Sequence, residues 1–571
     1  MLALTAITEF LHKILIDVGP FFLMLGLLIF VHELGHYLVA VYHGVRVETF
    51  SLGFGRTIFS FKRGPTTYKL AIIPVGGYVK MYGDDPSAEI PEAEKKYAFL
   101  HKRLWPRTAI VLAGPLMNLL FAVFLFAVVG MIGKEVPGNQ LGDIAPGTAA
   151  YVAGFRSGDI IEKLNGHRAV KWQDIKAYIQ SHAEKQILFT VKSVPDKTTH
   201  TIAATPKLAK NNFLFSLKKQ VGKIYGLTTD SAATMIGIPN PHSAAAQAGL
   251  HTLDIIETIN GKPVLFWRDL GRDLMNSAKA HGGLALGVQA YSPRNHSSAT
   301  TKESTKVIHL GLPHVLPTSG SALLHALGIE RSDMFLASIK HDSPAAKAGL
   351  QVGDEMIGID HHAITKWQEV LDRVKSYKPS EKAIHFKILH DGQFREVDIT
   401  PELIDLPTDE GTTEKRYAIG VMPAVMSVSG NGYLEKYTNP IRATVYGFNQ
   451  AYHWTKVIAI SFLRLIQNKV SARNIGSVIS IGRVASRSFQ AGIAAFLNMM
   501  SVISIDLFLL NLLPVPVLDG GHLLFFSIEA IKGAPLSLRK MEIAQQVGLV
   551  LLLSLMIFAL FNDISHLLSS W

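Results

Sequence analysis

Four stretches of the chain are apolar over about the length a helix needs to cross a bilayer, roughly 20 residues. They run from about Val18 to Tyr42, from about Thr108 to Ile132, onward from Ile493, and from about Gln546 to Phe561. Each predicts a membrane helix, the fourth being the shortest. The first has only His12 and Lys13 as a basic flank and no small-residue cleavage site after it, so it is expected to stay as an anchor. A further run, Arg442 to Gln467, carries His453, Lys456 and Arg464 among its apolar residues. It predicts an amphipathic helix lying at the outer membrane surface rather than a fifth span.

Between the second and third spans the pattern repeats. "AGFRSGDIIEKLNGHRAVKW" begins at Ala153, "AGLHTLDIIETINGKPVLFW" at Ala248 and "AGLQVGDEMIGIDHHAITKW" at Ala348. In each copy an Asp falls five residues after the first Gly (Asp159, Asp254, Asp354) and a Trp eighteen after it (Trp172, Trp267, Trp367). Spacing held over three copies indicates duplication. Within a copy, apolar and polar residues alternate, and Asn-Gly makes the turn in the first two, which predicts strand, tight turn, strand. A helix is expected after each Trp. The repeated Asp and Trp read as structural.

Composition agrees with a mosaic of spans and water-facing modules. The chain has 571 residues, of which 48% are hydrophobic, and its mean hydropathy is +0.24. The net charge is +11, but no block of five or six Lys/Arg occurs, and a nucleic-acid partner is not indicated. Instead the positive charge gathers in loops. Eleven Lys/Arg lie between His43 and Arg107, and Lys532, Arg539 and Lys540 separate the third and fourth spans. Both segments are expected on the cytoplasmic side, with about Gly133 to Gln490 and both termini outside. There is no cysteine, so disulfides are excluded and a metal site must use His and carboxylates.

Against that background "LLIFVHELGHYLVAVY" (Leu27–Tyr42) places His32, Glu33 and His36 inside an apolar helix. A charged group at mid-span costs on the order of 3 kcal/mol on insertion scales. Two His four residues apart share a helix face and can converge on one Zn²⁺, and Glu33 beside them can act as general base on a metal-bound water. The bland alternative is a helix-packing or proton-relay cluster. A catalytic zinc usually has three protein ligands. "NLLPVPVLDGGH" supplies Asp519 in a Pro- and Gly-broken stretch at membrane depth, where broken backbone is tolerated only when buried or lining a wet cavity. His522 is the rival ligand, though Leu523 and Phe525 around it suggest helix packing.

HELGH in the first span and NLLPVPVLDGG in the last third resemble the two signatures of site-2 proteases, the intramembrane zinc metalloproteases. The three repeats resemble PDZ domains, which points to the regulator-of-sigma-E protease branch. "PVGGYVKM" (Pro74–Met81), "AGPLMN" (Ala113–Asn118) and "SIEAIKG" are similar to other pieces of that family. The resemblance implies a multi-pass α-helical membrane protein with about four transmembrane helices, inserted α+β PDZ-like domains and a membrane-associated β-hairpin region. Its parts are expected at 1–42 (first span), 43–106 (β-rich loop), 107–133 (second span), 134–220, 221–317 and 318–425 (PDZ-like modules), 426–490 (linker with the surface helix), 491–531 (third span) and 541–567 (fourth span). It further implies zinc held by His32, His36 and Asp519, Glu33 as the catalytic base, and Asn511 contacting substrate. Expected partners are the lipid bilayer, transmembrane proteins such as a pre-trimmed anti-sigma factor, remnant signal peptides, and periplasmic peptides at the PDZ-like modules. The expected location is a bacterial inner membrane.

Three features depart from that family: a third module where two are usual, Asp506 where Asn is common, and Ser477 where Pro is frequent, the last expected to matter little. Asp506 is either a protonated, hydrogen-bonded carboxyl or a competing ligand. Two other classes stay in view, a catalytically silent membrane scaffold and a transporter. The transporter reading predicts inverted repeats of spans, and the sequence shows none.

Overall fold

The computed structural model describes residues 16–85, 89–194, 197–211, 213, 215–291, 305–407, 413–470 and 476–569. The basic flank His12–Lys13 lies outside them. The chain divides into two compact units: a helical one (Met1–Lys134, Phe215–Leu217 and Glu435–Trp571) and a modular one (Glu135–Leu214 and Lys218–Leu434).

The helical unit contains α1 (Gly19–Tyr42), α2 (Leu104–Ile132), α3 (Pro440–Ile466), α4 (Val478–Gln490), α5 (Ile493–Asn511), α6 (Asp519–Lys532) and α7 (Leu538–Ser569). The helices α1, α2 and α5, with Arg539–Ser565 of α7, are the four among the described residues that are long and apolar enough to cross a membrane. Between α1 and α2 runs a long hairpin, β1 (Val47–Arg63) and β2 (Thr66–Met81). Phe50 is in register with both Val79 and Tyr68, so the hairpin folds back on itself. The Tyr37 and Tyr68 hydroxyls, 2.7 Å apart, fasten it to α1.

Apolar helices associate in lipid by close packing rather than by hydrophobicity, so small residues mark their contacts. Gly35 of α1 is one such point: a Cβ there would lie 2.4 Å from the Ala113 carbonyl oxygen of α2. A second is a stripe on α3. Ala443, Gly447 and Ala451, four residues apart, are all buried, and a Cβ on Gly447 would lie 2.4 Å from the Val123 carbonyl oxygen. Further along α3, Ile458 packs with Ala122 and Phe126 of α2 and Ile505 of α5. The helix expected at the membrane surface lies lengthwise against α2 and α5, while His453 and Lys456 stay on its exposed face.

The third span, expected over 491–531, is divided. Helix α5 ends at Asn511 and α6 begins at Asp519. Between them Pro514 and Pro516 remove backbone donors and the chain doubles back tightly. Any Cβ at Gly520 would sit 2.2 Å from the Leu513 carbonyl oxygen, and one at Gly521 2.4 Å from that of Val515. The two glycines after Asp519 are what allow α6 to start against its own leading loop. Ser477 also counts for more than expected. Its backbone N–H donates to Asp563 of α7 at 2.9 Å, as does that of Ser480 at 3.0 Å, and its hydroxyl binds the same carboxylate. A proline there would lack the N–H.

The modular unit contains three four-stranded antiparallel sheets of one topology. The first is built from Ile160–Leu164, His167–Arg168, Ile187–Lys192 and Thr199–Ala204, the second from Ile255–Ile259, Lys262–Pro263, Leu284–Gln289 and Lys306–Leu310. The third comprises Glu355–Ile359, His362–Ala363, Ile384–His390 and Gln393–Ile399. Asn165, Asn260 and Asp360 all adopt φ of 45–47° in the turns, the left-handed region Asn and Asp tolerate best. The repeated Asp does the same thing three times. Asp159, Asp254 and Asp354 are buried and accept the backbone N–H of the residue three before: Arg156 at 2.8 Å, His251 at 2.9 Å and Gln351 at 2.8 Å. The repeated Trp opens a helix each time, at Trp172–Ser181, Trp267–His281 and Trp367–Lys375.

Two expected module boundaries move. Ile224 packs in the first module's core, beyond the expected end at 220. The helix Gly320–Leu327, inside the 318–425 range expected for the third module, buries Leu323, Leu324 and Leu327 in the core of the second. Hydrophobic contact, not spacing of the repeat, sets where each module ends.

Glu355, half-buried at the start of its strand, has its carboxyl pushed up to about 7 by burial, with Glu330 adding to it. Because the folded chain holds this proton more tightly than the unfolded chain, the group favours folding below its ordinary 4.5 and that contribution is lost as pH rises to about 7. Glu355→Gln is therefore expected to flatten the decline in melting temperature across that window. Calorimetry of the full chain in detergent checks it, and an unchanged pH profile would contradict the assignment.

Candidate active site

One turn of α1 and the first residue of α6 create the site. His32 and His36, four apart, put their imidazoles on one face. Their Nε2 atoms are 3.2 Å apart. Asp519 Oδ2 lies 3.2 Å from His32 Nε2 and 3.5 Å from His36 Nε2. Donors about 2.0–2.1 Å from a tetrahedral zinc are separated by about 3.3–3.4 Å, so this triangle has the dimensions of one face of such a site. Among the described residues it is the one group of three His or carboxylate side chains able to hold a metal ion.

Helix α2 forms the floor under the triangle. His36 Nδ1 donates to the Ile110 carbonyl at 2.8 Å, which leaves its Nε2 lone pair directed at the triangle. One turn on, Gly114 leaves room for both rings: a Cβ there would lie 2.2 Å from His36 Nε2. The neighbouring cavity, about 980 Å³, is lined by His32, Glu33, His36 and Asp519 on one side and by Gly77, Tyr78, Val79 and Met81 of β2 on another. A Cβ on Gly77 would stand 3.1 Å from Glu33 Cγ, so that glycine lets the strand pass directly beside the carboxylate. Toward α6 the cavity reaches Arg107 and Glu529. These form an ion pair at 2.5 Å that ties α6 to α2, with the guanidinium also over the Phe526 ring.

The model of peptidase family M50 matches residues 20–555. The chain belongs to peptidase family M50. Curated relatives span nearly its whole length. A Neisseria meningitidis protein named as a candidate zinc metalloprotease is 30% identical, covering 95% of this chain and 97% of its own. Regulator of sigma-E protease RseP of Escherichia coli is 28% identical, covering 96% and 99%. The protein of that name from Salmonella typhimurium is also 28% identical, over 97% and 100%. This M50 peptidase is thus a membrane zinc metalloprotease of the site-2 type, with three repeated modules inserted between its spans. The donor set and dimensions of the triangle fit zinc.

Of the residues singled out in the sequence of this M50 chain, His32, Glu33, His36 and Asp519 come together. Asn511 does not join them: it ends α5, half-buried, and is not among the cavity's lining residues. Asp506 stands outside the metal-capable group, and His522 lines the cavity without belonging to that group. The supporting roles of Ile110 and Gly114 were not foreseen. Gly114 lies in AGPLMN, where a glycine and an asparagine interrupt an otherwise apolar span, whereas Ile110 acts through its backbone carbonyl, which no side-chain pattern signals.

Proposed function

We propose that His32, His36 and Asp519 hold the zinc and that Glu33 is the general base for hydrolysis of peptide bonds within membrane-spanning substrates. The observation that carries this reading is the triangle of donors beside Glu33 in a cavity bounded by a strand. When bound, zinc polarises the scissile carbonyl and acidifies a water molecule. Glu33 accepts the proton of the attacking water and delivers it to the departing amine. Asn511, eight residues before Asp519, is assigned to the incoming substrate backbone. An intact substrate helix hides its carbonyls, so the scissile segment must unwind. Residues Gly77–Met81 of β2 are assigned to hold it as an added strand.

The substrates are single-span proteins already trimmed on the far side. The relatives' names direct attention to regulators of sigma-E, and remnant signal peptides share the same single-span chemistry. The Lys/Arg-rich loop supports an active site toward the cytoplasm of a bacterial inner membrane, with the PDZ-like modules periplasmic and available to peptides.

The test is cleavage of a single-span model protein by the purified chain in detergent. Cleavage is expected to vanish on chelation and return with added zinc. Val79→Pro is expected to slow cleavage with zinc content unchanged. Cleavage that persists after complete zinc removal would overturn the reading, and an unaffected proline variant would remove β2 from it.

A further inference from the structure

Asn118 is fully buried in α2, one turn beyond Gly114. Its backbone carbonyl accepts the Ser504 hydroxyl of α5 at 2.7 Å. Among the described residues its side chain meets one polar partner: the amide nitrogen lies 3.4 Å from His32 Nδ1, and the amide oxygen has no hydrogen-bond partner there. A buried amide in an apolar helix without a full set of partners is costly, so its retention calls for a reason.

The two imidazoles differ in one respect. The proton of His36 is fixed on Nδ1 by the Ile110 carbonyl. That of His32 is fixed only by what Asn118 presents. If the amide nitrogen faces Nδ1, Nδ1 accepts and the ring proton sits on Nε2, the atom pointing at Asp519 and His36. A proton there blocks the lone pair a metal needs. A half-turn of the amide exchanges oxygen and nitrogen with almost no change of shape. The oxygen then accepts the Nδ1–H of His32, and Nε2 is bare. Neither orientation satisfies both ends of the amide, but only the second matches a metal ligand.

We propose that Asn118 is a positioning residue for the metal centre, its Oδ1 accepting the His32 Nδ1–H so that Nε2 faces the zinc. Together with the Ile110 carbonyl, α2 then orients both imidazoles from two positions eight residues apart on a single helix face. This inference rests on the assignment of zinc to His32, His36 and Asp519.

The test measures zinc affinity by chelator competition on the purified full chain in detergent, for wild type, Asn118→Leu, Asn118→Ala and Asn118→Asp. Losing the acceptor is expected to weaken zinc binding about 10–100-fold, the usual consequence of removing a group that orients a metal ligand. Asn118→Asp keeps an acceptor at the same place and is expected to bind at least as tightly as wild type. Ser504→Ala, which alters the same helix contact without touching the amide, is expected to leave zinc affinity unchanged. Should Asn118→Leu fail to fold, Asn118→Ala carries the comparison. Equal losses in the Asp and Ala variants, or no loss in either, would overturn the proposal. Wild-type protein that binds no zinc would instead overturn the ligand assignment beneath it.

Discussion

Glu33→Gln is expected to lower cleavage of a single-span substrate by at least about 10²-fold, the range in which positioned general bases contribute, while zinc content stays at the wild-type level. Glu33 lines the cavity beside His32 and His36 but is not one of the three metal-capable side chains. Gln keeps the shape and can still hydrogen-bond, yet cannot take a proton from water. The variant therefore separates base from ligand. If zinc is lost together with activity, Glu33 belongs to the metal's own donors and the role of base must pass to another group. If activity survives with zinc in place, the catalytic reading of HELGH fails.

Gly114→Ala is expected to be nearly as damaging by a different route. A Cβ at this position would lie 2.2 Å from His36 Nε2, 2.5 Å from His36 Cε1 and 2.9 Å from His32 Cε1. The rings cannot simply back away, because α1 is already pressed against α2 at Gly35, where an added Cβ would fall 2.4 Å from the Ala113 oxygen. At a helix interior Ala is favoured over Gly by about 1 kcal/mol, so helix α2 itself should not suffer. The expected result is a folded chain whose zinc affinity has dropped by at least about 10-fold, with cleavage lost in proportion. Gly26→Ala, in α1 with open space around it, is the matched control and should behave as wild type. Full zinc occupancy and activity in Gly114→Ala would mean that the imidazoles do not sit against α2.

Both expectations concern residues of unequal legibility. HELGH could be read directly because its chemistry is local: two ligands four residues apart on a helix share a face whatever the rest of the chain does. The spans were equally legible, since length and continuous apolarity are local properties and the bilayer supplies the thickness. The repeat was legible because its Asp and Trp recur at constant spacing, and the backbone hydrogen bonds of Asp159, Asp254 and Asp354 give that spacing a structural cause.

The packing of helix α3 was not legible because its charges stand out in the sequence and its small residues do not. Ala443, Gly447 and Ala451 form a stripe narrow enough to let two helix backbones meet, while His453 and Lys456 lie on the opposite face. Ser477 and Asp563, 86 residues apart, had no sequence signal joining them. The second module's core recruits Leu323, Leu324 and Leu327, which lie past the last element of the repeat.

By itself the sequence determined the apolar spans, the triplicated module and the pair of His with an adjacent Glu, because each is a pattern within one element or between repeats of one element. Only the tertiary structure decided that Asp519 closes the triangle within 3.2–3.5 Å of the two imidazoles, that β2 passes beside Glu33, and that α2 supports both rings. Those facts depend on how helices far apart in the chain approach one another. That approach is set by the glycines at 35, 114, 447, 520 and 521, whose missing side chains leave little mark on hydropathy and fix the distance at which backbones meet.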